Sequence, residues 1–172
     1  MDRPLHKNCL KKLFAITNFG LVLFVANGAG AQTVHGTLRD VTNLEIAVEP
    51  LDSDARACGV RKSDLTEAVK KGAERAEFML NGYDYALYLR ISSLPRETDC
   101  FSSIDVDVRY VGKLPLPAYP KGNQVRAVLW SNGTIIISPR NQHGREVAAV
   151  VTLLVKGMAD DWIQDNSQQS AG

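Results

Sequence analysis

The chain holds few of the residues from which catalytic and metal centres are built. Of its 172 residues, three are histidine, three cysteine and two tryptophan. It has no G-x-S-x-G turn, no H-E-x-x-H helix, no phosphate-cradling glycine loop and no C-x-x-C pair. The common short routes to an activated serine, a catalytic zinc, a bound nucleotide or a redox dithiol are therefore missing. Basic charge is not in excess either, with 20 Lys and Arg against 19 Asp and Glu. A near-neutral chain without a basic cluster argues against nucleic acid, and against an anionic membrane surface, as partners. Repeats and low-complexity segments are absent, and apolar residues recur in periodic segments throughout, which excludes a disordered chain.

What is present begins with an address. Arg3, Lys7, Lys11 and Lys12 lead into an apolar run from Leu13 to Ala26, then small residues ending in Ala29-Gly30-Ala31. This is the order of a secretory signal peptide, with cleavage expected between Ala31 and Gln32. The run of about fourteen residues spans roughly 21 Å at 1.5 Å per residue, short of the roughly 30 Å of hydrocarbon that a permanent anchor crosses. No stable membrane insertion is expected after cleavage, and the location expected is the periplasm or the exterior. Residues 1–31 read as the signal peptide, 32–165 as a single α+β domain and 166–172 as a flexible polar tail. Without the signal peptide 141 residues remain, enough for one core, with 16 basic and 18 acidic side chains and a net charge of −2.

Export also simplifies the cysteines. Cys9 precedes the apolar run, so it leaves with the signal peptide and cannot carry a lipid anchor; Cys58 and Cys100 remain. Two cysteines in an oxidising compartment allow one intramolecular disulfide. Such a bridge stabilises by ~4 kcal/mol in the chain-entropy model. Two separate buried thiols are the alternative. No metal or cofactor is expected, since the cysteines are far apart in sequence and only His35 and His143 could join them.

The remainder parses into a short series of elements. Leu44 to Glu49 alternates apolar residues with Glu45 and Glu49, the period of a half-buried strand that Pro50 ends. Asp64 with Glu67 resembles a capping box, and Leu65, Val69, Ala73, Ala76, Met79 and Leu80 follow at helical spacing as far as Asn81-Gly82. Tyr83 to Ile91 and Asp105 to Tyr110 alternate as two strands, read as antiparallel neighbours joined around Pro95. Leu114 to Gly122, with Pro115, Pro117 and Pro120, reads as a connection, or alternatively as a ligand for an aromatic groove. Asn132-Gly133 reads as a two-residue hairpin turn between strands at 124–131 and 134–138; Asn132-Gly133-Thr134 is also a glycosylation triplet, which the turn accounts for. A last helix from about Arg145 to Gln164 carries Val147, Val150, Val151, Leu154, Met158 and Trp162 on one stripe, interrupted by Gly157. The fold class expected is α+β: a mainly antiparallel sheet of four to five strands, in the order β-α-β-β-β(-β)-α, with two helices on one face. The other face would carry Glu45, Asp84, Tyr88, Arg90, Asp105, Asp107 and Arg109.

Candidate chemistry in that scaffold is thin. His143 is a candidate base for Ser138, but in Arg140-Asn141-Gln142-His143-Gly144 it reads as a solvated loop histidine. His35 lies near the new amino terminus, a mobile place for a base. Asp105 and Asp107 share a strand face about 7 Å apart, a spacing that suits acid–base work or calcium. With Arg90 and Arg109 at hand as cross-strand partners, solvated ion pairs are the reading preferred. Asp52, Asp54, Asp160 and Asp161 read as loop and helix-surface residues, and Trp130 and Trp162 as packing. His143→Ala, Ser138→Ala and Asp105→Asn are each expected to leave folding nearly unchanged.

The order Leu44-Glu45-Ile46-Ala47-Val48-Glu49-Pro50-Leu51-Asp52, then Ala55 to Val60 and a helix opening at Ser63-Asp64-Leu65, resembles the start of small exported bacterial, periplasmic proteins of uncharacterised function. The tyrosine-rich strand, the cysteine opening the next one, Trp130-Ser131-Asn132-Gly133 and Asp160-Asp161-Trp162 continue the resemblance. It implies the α+β architecture and brings no catalytic or ligand residues. The function expected is a non-enzymatic envelope or periplasmic protein, a binding or accessory module for an unknown protein or envelope component, with its oligomeric state open. The alternatives are a small secreted hydrolase whose site is assembled from distant residues, and an inhibitor of an exported enzyme using the loop from Leu114 to Pro120.

Overall fold

The computed structural model describes residues 38–82, 84–116 and 119–167. The expected signal peptide, the expected Ala31–Gln32 cleavage point and His35 lie outside the described residues. The elements in chain order are β1 (Glu45–Val48), α1 (Ser53–Ala57), α2 (Lys62–Ala73), β2 (Tyr85–Pro95), β3 (Asp99–Leu116), β4 (Tyr119–Pro139) and α3 (Arg140–Ser167). The fold is α+β, a four-stranded sheet in the order β1-β2-β3-β4. β1 runs parallel to β2, and the other two pairings are antiparallel.

Strand alternation sorts the sheet into two faces. Leu87, Leu89 and Ile91 of β2 lie opposite Val108, Val106 and Ile104 of β3, and all six are buried beneath the helices with Val147, Val151, Val155 and Met158 of α3. Burying a side chain of this size stabilises by about 1.5–3 kcal/mol, which is why the apolar positions point one way. Packing of α2 on α3 is close at Gly72, where a Cβ would lie 2.7 Å from the Thr152 carbonyl oxygen and the Val155 Cβ. Thr152 strengthens the contact by donating to the Ala68 carbonyl at 3.3 Å.

Several boundaries differ from those the sequence predicts, each for a physical reason. The reversal between the last two strands is not at Asn132-Gly133: β4 runs straight through it, with Asn132 paired to Val106 and Gly133 to Asp105. The expected pair of strands at 124–131 and 134–138 is thus one strand. A continuous ladder against an 18-residue β3 outweighs a local turn preference. Gly133 serves close approach instead, since a Cβ there would lie 2.9 Å from the Ile104 carbonyl oxygen. The segment from Leu114 to Gly122 is correspondingly no free connection: β3 and β4 stay paired as far as Leu116 and Tyr119, with a register shift between Leu114 and Leu116 where Pro115 has no N–H to give. The segment named for the inhibitor reading is therefore paired strand up to Leu116 and from Tyr119, and residues 117 and 118 lie outside the described residues.

α2 ends at Ala73, well before Asn81-Gly82, because the chain beyond turns back to the start of the domain. The Met79 N–H donates to the Thr42 carbonyl, the Leu44 N–H donates to the Met79 carbonyl, and Phe78 packs edge-on against Trp162. The capping box is not formed either. Arg61 occupies the cap without a side-chain capping bond; its guanidinium instead donates to Asp64, which also accepts from Ser63. An additional short helix, α1, is capped by Asp52, whose side chain accepts from the Ala55 N–H at 2.7 Å. α3 begins five residues earlier than expected and takes in His143. It also includes the first residues of the expected tail, where Asn166 donates to the Leu38 carbonyl.

Candidate functional site

The start of α3 closes over the end of the sheet, and the polar residues of this corner meet there. Ser93 of β2, Ser102 of β3 and Ser138 of β4 all stand on the helix-covered face; Ser93 is directly opposite Ser102, and Cys100 opposite Ser138. His143, in the first turn of α3, drops between them. Its Nε2 lies 2.7 Å from Ser102 Oγ and its Nδ1 2.7 Å from Ser138 Oγ, while Ser102 Oγ is 2.7 Å from Ser93 Oγ. The solvated loop histidine is therefore corrected. His143 is fully buried, as is Ser102.

Two neighbouring constraints hold this corner shut. The Cys58–Cys100 disulfide ties the end of α1 to the start of β3, with Cα atoms 6.0 Å apart. Directly after Cys58, Gly59 takes a φ of +78°, a conformation that favours glycine, and its carbonyl lies so near Gly144 that a Cβ on Gly144 would meet it at 2.1 Å. The helix start is pressed against the disulfide loop, and only glycine at 144 permits it. Burial holds the His143 pKa below its ordinary 6.5, with nearby Glu146 pulling weakly the other way.

Chemically, a neutral imidazole with a hydroxyl at each nitrogen donates to one and accepts from the other. The three serines and the ring form a continuous hydrogen-bonded chain across three strands and a helix. Ser138 at 2.7 Å from Nδ1 has the contact of a nucleophile with its base, but Nε2 is already taken by a buried serine. Described clefts lie elsewhere: one of about 420 Å³ along α2 and α3 is lined by Glu67, Lys71 and Thr152 among others, and one of about 530 Å³ by Leu51, Arg56, Val60 and Arg61.

Asp105 and Asp107 sit on the opposite, uncovered face. Asp105 pairs with Arg90 directly across the ladder at 3.4 Å. Arg109 is not a cross-strand partner: it pairs with Asp107 two residues back on the same strand, and its guanidinium lies 3.8 Å from the centre of the Tyr88 ring. Asp160 pairs with Arg75, and Asp161 accepts from Trp130 Nε1 at 2.8 Å. The Trp162 indole donates to the Val41 carbonyl at 2.7 Å. Among the described residues no group of three or more His, Cys, Asp or Glu side chains could hold a metal ion. No described helix is long and apolar enough to cross a membrane.

Sequence reasoning passed over Ser93 and Ser102. The signal was there in the strand period: extending the buried register 87, 89, 91 and 108, 106, 104 by one step reaches 93 and 102, hydroxyls at core positions that must find partners.

No protein-family model and no curated protein matches the chain. Among solved structures, it is similar to a PelC dodecamer from Paraburkholderia phytofirmans, over 71% of this chain and 86% of that one, with a TM-score of 0.37 and 11% identity. No residue's role transfers at that level. The disulfide is of the kind that forms and persists outside the reducing cytosol.

Proposed function

We propose that this protein is an exported, non-enzymatic accessory module of the periplasm or exterior that binds a protein or envelope component through the uncovered face of its sheet. The observation that carries the reading is the state of His143. It is the one histidine among the described residues, it is hydrogen-bonded at both ring nitrogens to serine hydroxyls, and it is fully buried, so no part of the ring is open to a substrate. The uncovered face offers what a binding surface needs: Tyr88 with the Arg109 guanidinium over its ring, the ion pairs Asp105–Arg90 and Asp107–Arg109, and the apolar side chains Leu94 and Phe101. Export through a cleaved signal peptide accords with the disulfide.

The Ser138–His143 contact favours a second reading, a small hydrolase with Ser138 as nucleophile. One comparison separates the two. Protein immobilised after export is exposed to the envelope fraction of the producing cell, and the Tyr88→Ala, Arg109→Ala double variant is compared with Ser138→Ala. The binding reading expects capture to be lost in the double variant and kept in Ser138→Ala. Ester or peptide hydrolysis by the native protein that disappears in Ser138→Ala would overturn it.

A further inference from the structure

The two edges of the sheet are unlike. β1, at one edge, has four residues with Glu45 exposed, and the chain beside it is engaged by the Asn43–Met79 bridge. β4, at the other, is 21 residues long and ends the sheet, so its outer row of backbone N–H and C=O groups pairs with no strand among the described residues. Soluble proteins blunt such an edge with charge, proline or a cover. From Ala127 to Ser138 β4 carries no charged residue and no proline. Ile135 and Ile137 are 71% and 61% exposed on the uncovered face, next to Leu94 and Phe101.

We propose that β4 pairs antiparallel with β4 of a second copy of this chain, joining two four-stranded sheets into one of eight strands. An antiparallel strand pair about a two-fold axis is self-complementary and closes, so it yields a dimer and not a fibre. Neutrality of the strand is what admits an identical partner, since a charged edge would meet its own charge. The register follows from the flanking residues. An axis at Gly133 would set Arg126 against Arg140 of the copy; an axis at Ile135 avoids this, stacks the two Ile135 side chains and seats each Ile137 opposite the other chain's Gly133, where no side chain competes for space. This goes beyond the proposed function, because a monomer could bind through the sheet face as well as a dimer.

The test is the mass of the purified protein in solution, read together with amide exchange along β4. The expected result is a particle of twice the chain mass, exchange protection of the alternate, outward-facing amides over 131–138 that disappears on dilution, and an Ile135→Cys variant that oxidises to a covalent dimer. Ile135→Lys and Ile137→Lys, each on an exposed position, should be monomers with native circular dichroism. A native monomer at all concentrations overturns the proposal. A dimer without β4 protection, a dimer that survives both lysine variants, and open-ended aggregation each overturn it too. Protection of β4 that arises only when envelope extract is added would give the edge to an extended segment of another protein.

Discussion

The two faces of the sheet are made by the same strands and obey opposite rules. On β2, Leu89 is fully buried under the helices, while Leu94, five residues on and on the other face, is half exposed. On β3, Ile104 and Val106 are sealed in the core, and Asp105 between them is paired in solvent with Arg90. The covered face carries the stability of the fold. The uncovered face carries charge, a stacked aromatic and exposed aliphatic groups that folding does not require. Polar groups occur on both, but on the covered face serines and a histidine are hydrogen-bonded to one another, and on the other face the polar groups are ion pairs, one half exposed and one largely sheltered.

The largest effect is expected where the covered face is tied to α1. Replacing Cys58 and Cys100 together with alanine should lower stability by about 4 kcal/mol, from the loop closed across a sequence separation of 42. Urea unfolding with and without reductant measures it; a native protein indifferent to reductant would show that the bridge contributes nothing. A like-for-like pair then sets the faces against each other. Leu89→Ala should cost about 3 kcal/mol, within the usual 2–5 for a buried leucine, and Leu94→Ala less than about 1 kcal/mol. Equal losses would mean that the uncovered face at Leu94 is itself covered in solution, which pairing at the β4 edge would not bring about.

His143 extends the contrast to pH. Its folded pKa lies below 6.5 because burial disfavours the imidazolium. The unfolded chain therefore binds more protons in the range below its ordinary value, and stability from this group is full above about pH 6.5 and falls as pH drops toward the folded pKa. Denaturation at about pH 7.5 and 5.5 should show the native protein losing more than His143→Gln loses. The Gln variant should also be less stable at the higher pH by about 1–3 kcal/mol, since buried serines lose partners. A variant with the native pH slope would remove His143 from the account.

How much of this was legible in the sequence depends on how local the cause is. The strand faces were, because a period of two in Leu44–Glu49, Tyr85–Ile91 and Asp105–Tyr110 is set by burial of consecutive residues. The polar corner was not. His143 looks solvated in its own pentapeptide, and only the distant partners Ser102 and Ser93, together with the fit of Gly144 on Gly59, make it part of the core. Asn132-Gly133 misled for the same reason: the turn signal is local, and the ladder that overrides it is set by the length of β3.

The smallest expected effect separates two carboxylates that look alike in sequence. Asp105 and Asp107 share one face of β3, yet the Asp105–Arg90 pair is about half exposed, whereas Asp107 and Arg109 are largely sheltered and Arg109 is stacked on Tyr88. An exposed pair loses most of its attraction to water and salt and to the entropy of holding two side chains still. Asp105→Asn should therefore change stability by less than about 0.5 kcal/mol, and that change should vanish in high salt. Asp107→Asn removes the acceptor that fixes a stacked guanidinium, so its cost should approach about 1 kcal/mol and resist salt. The measurement is paired urea unfolding at low and high ionic strength. If the two variants behaved alike, the uncovered face would be uniform in its electrostatics, and the Tyr88–Arg109 cluster would have no more claim than Asp105 to be its ordered centre.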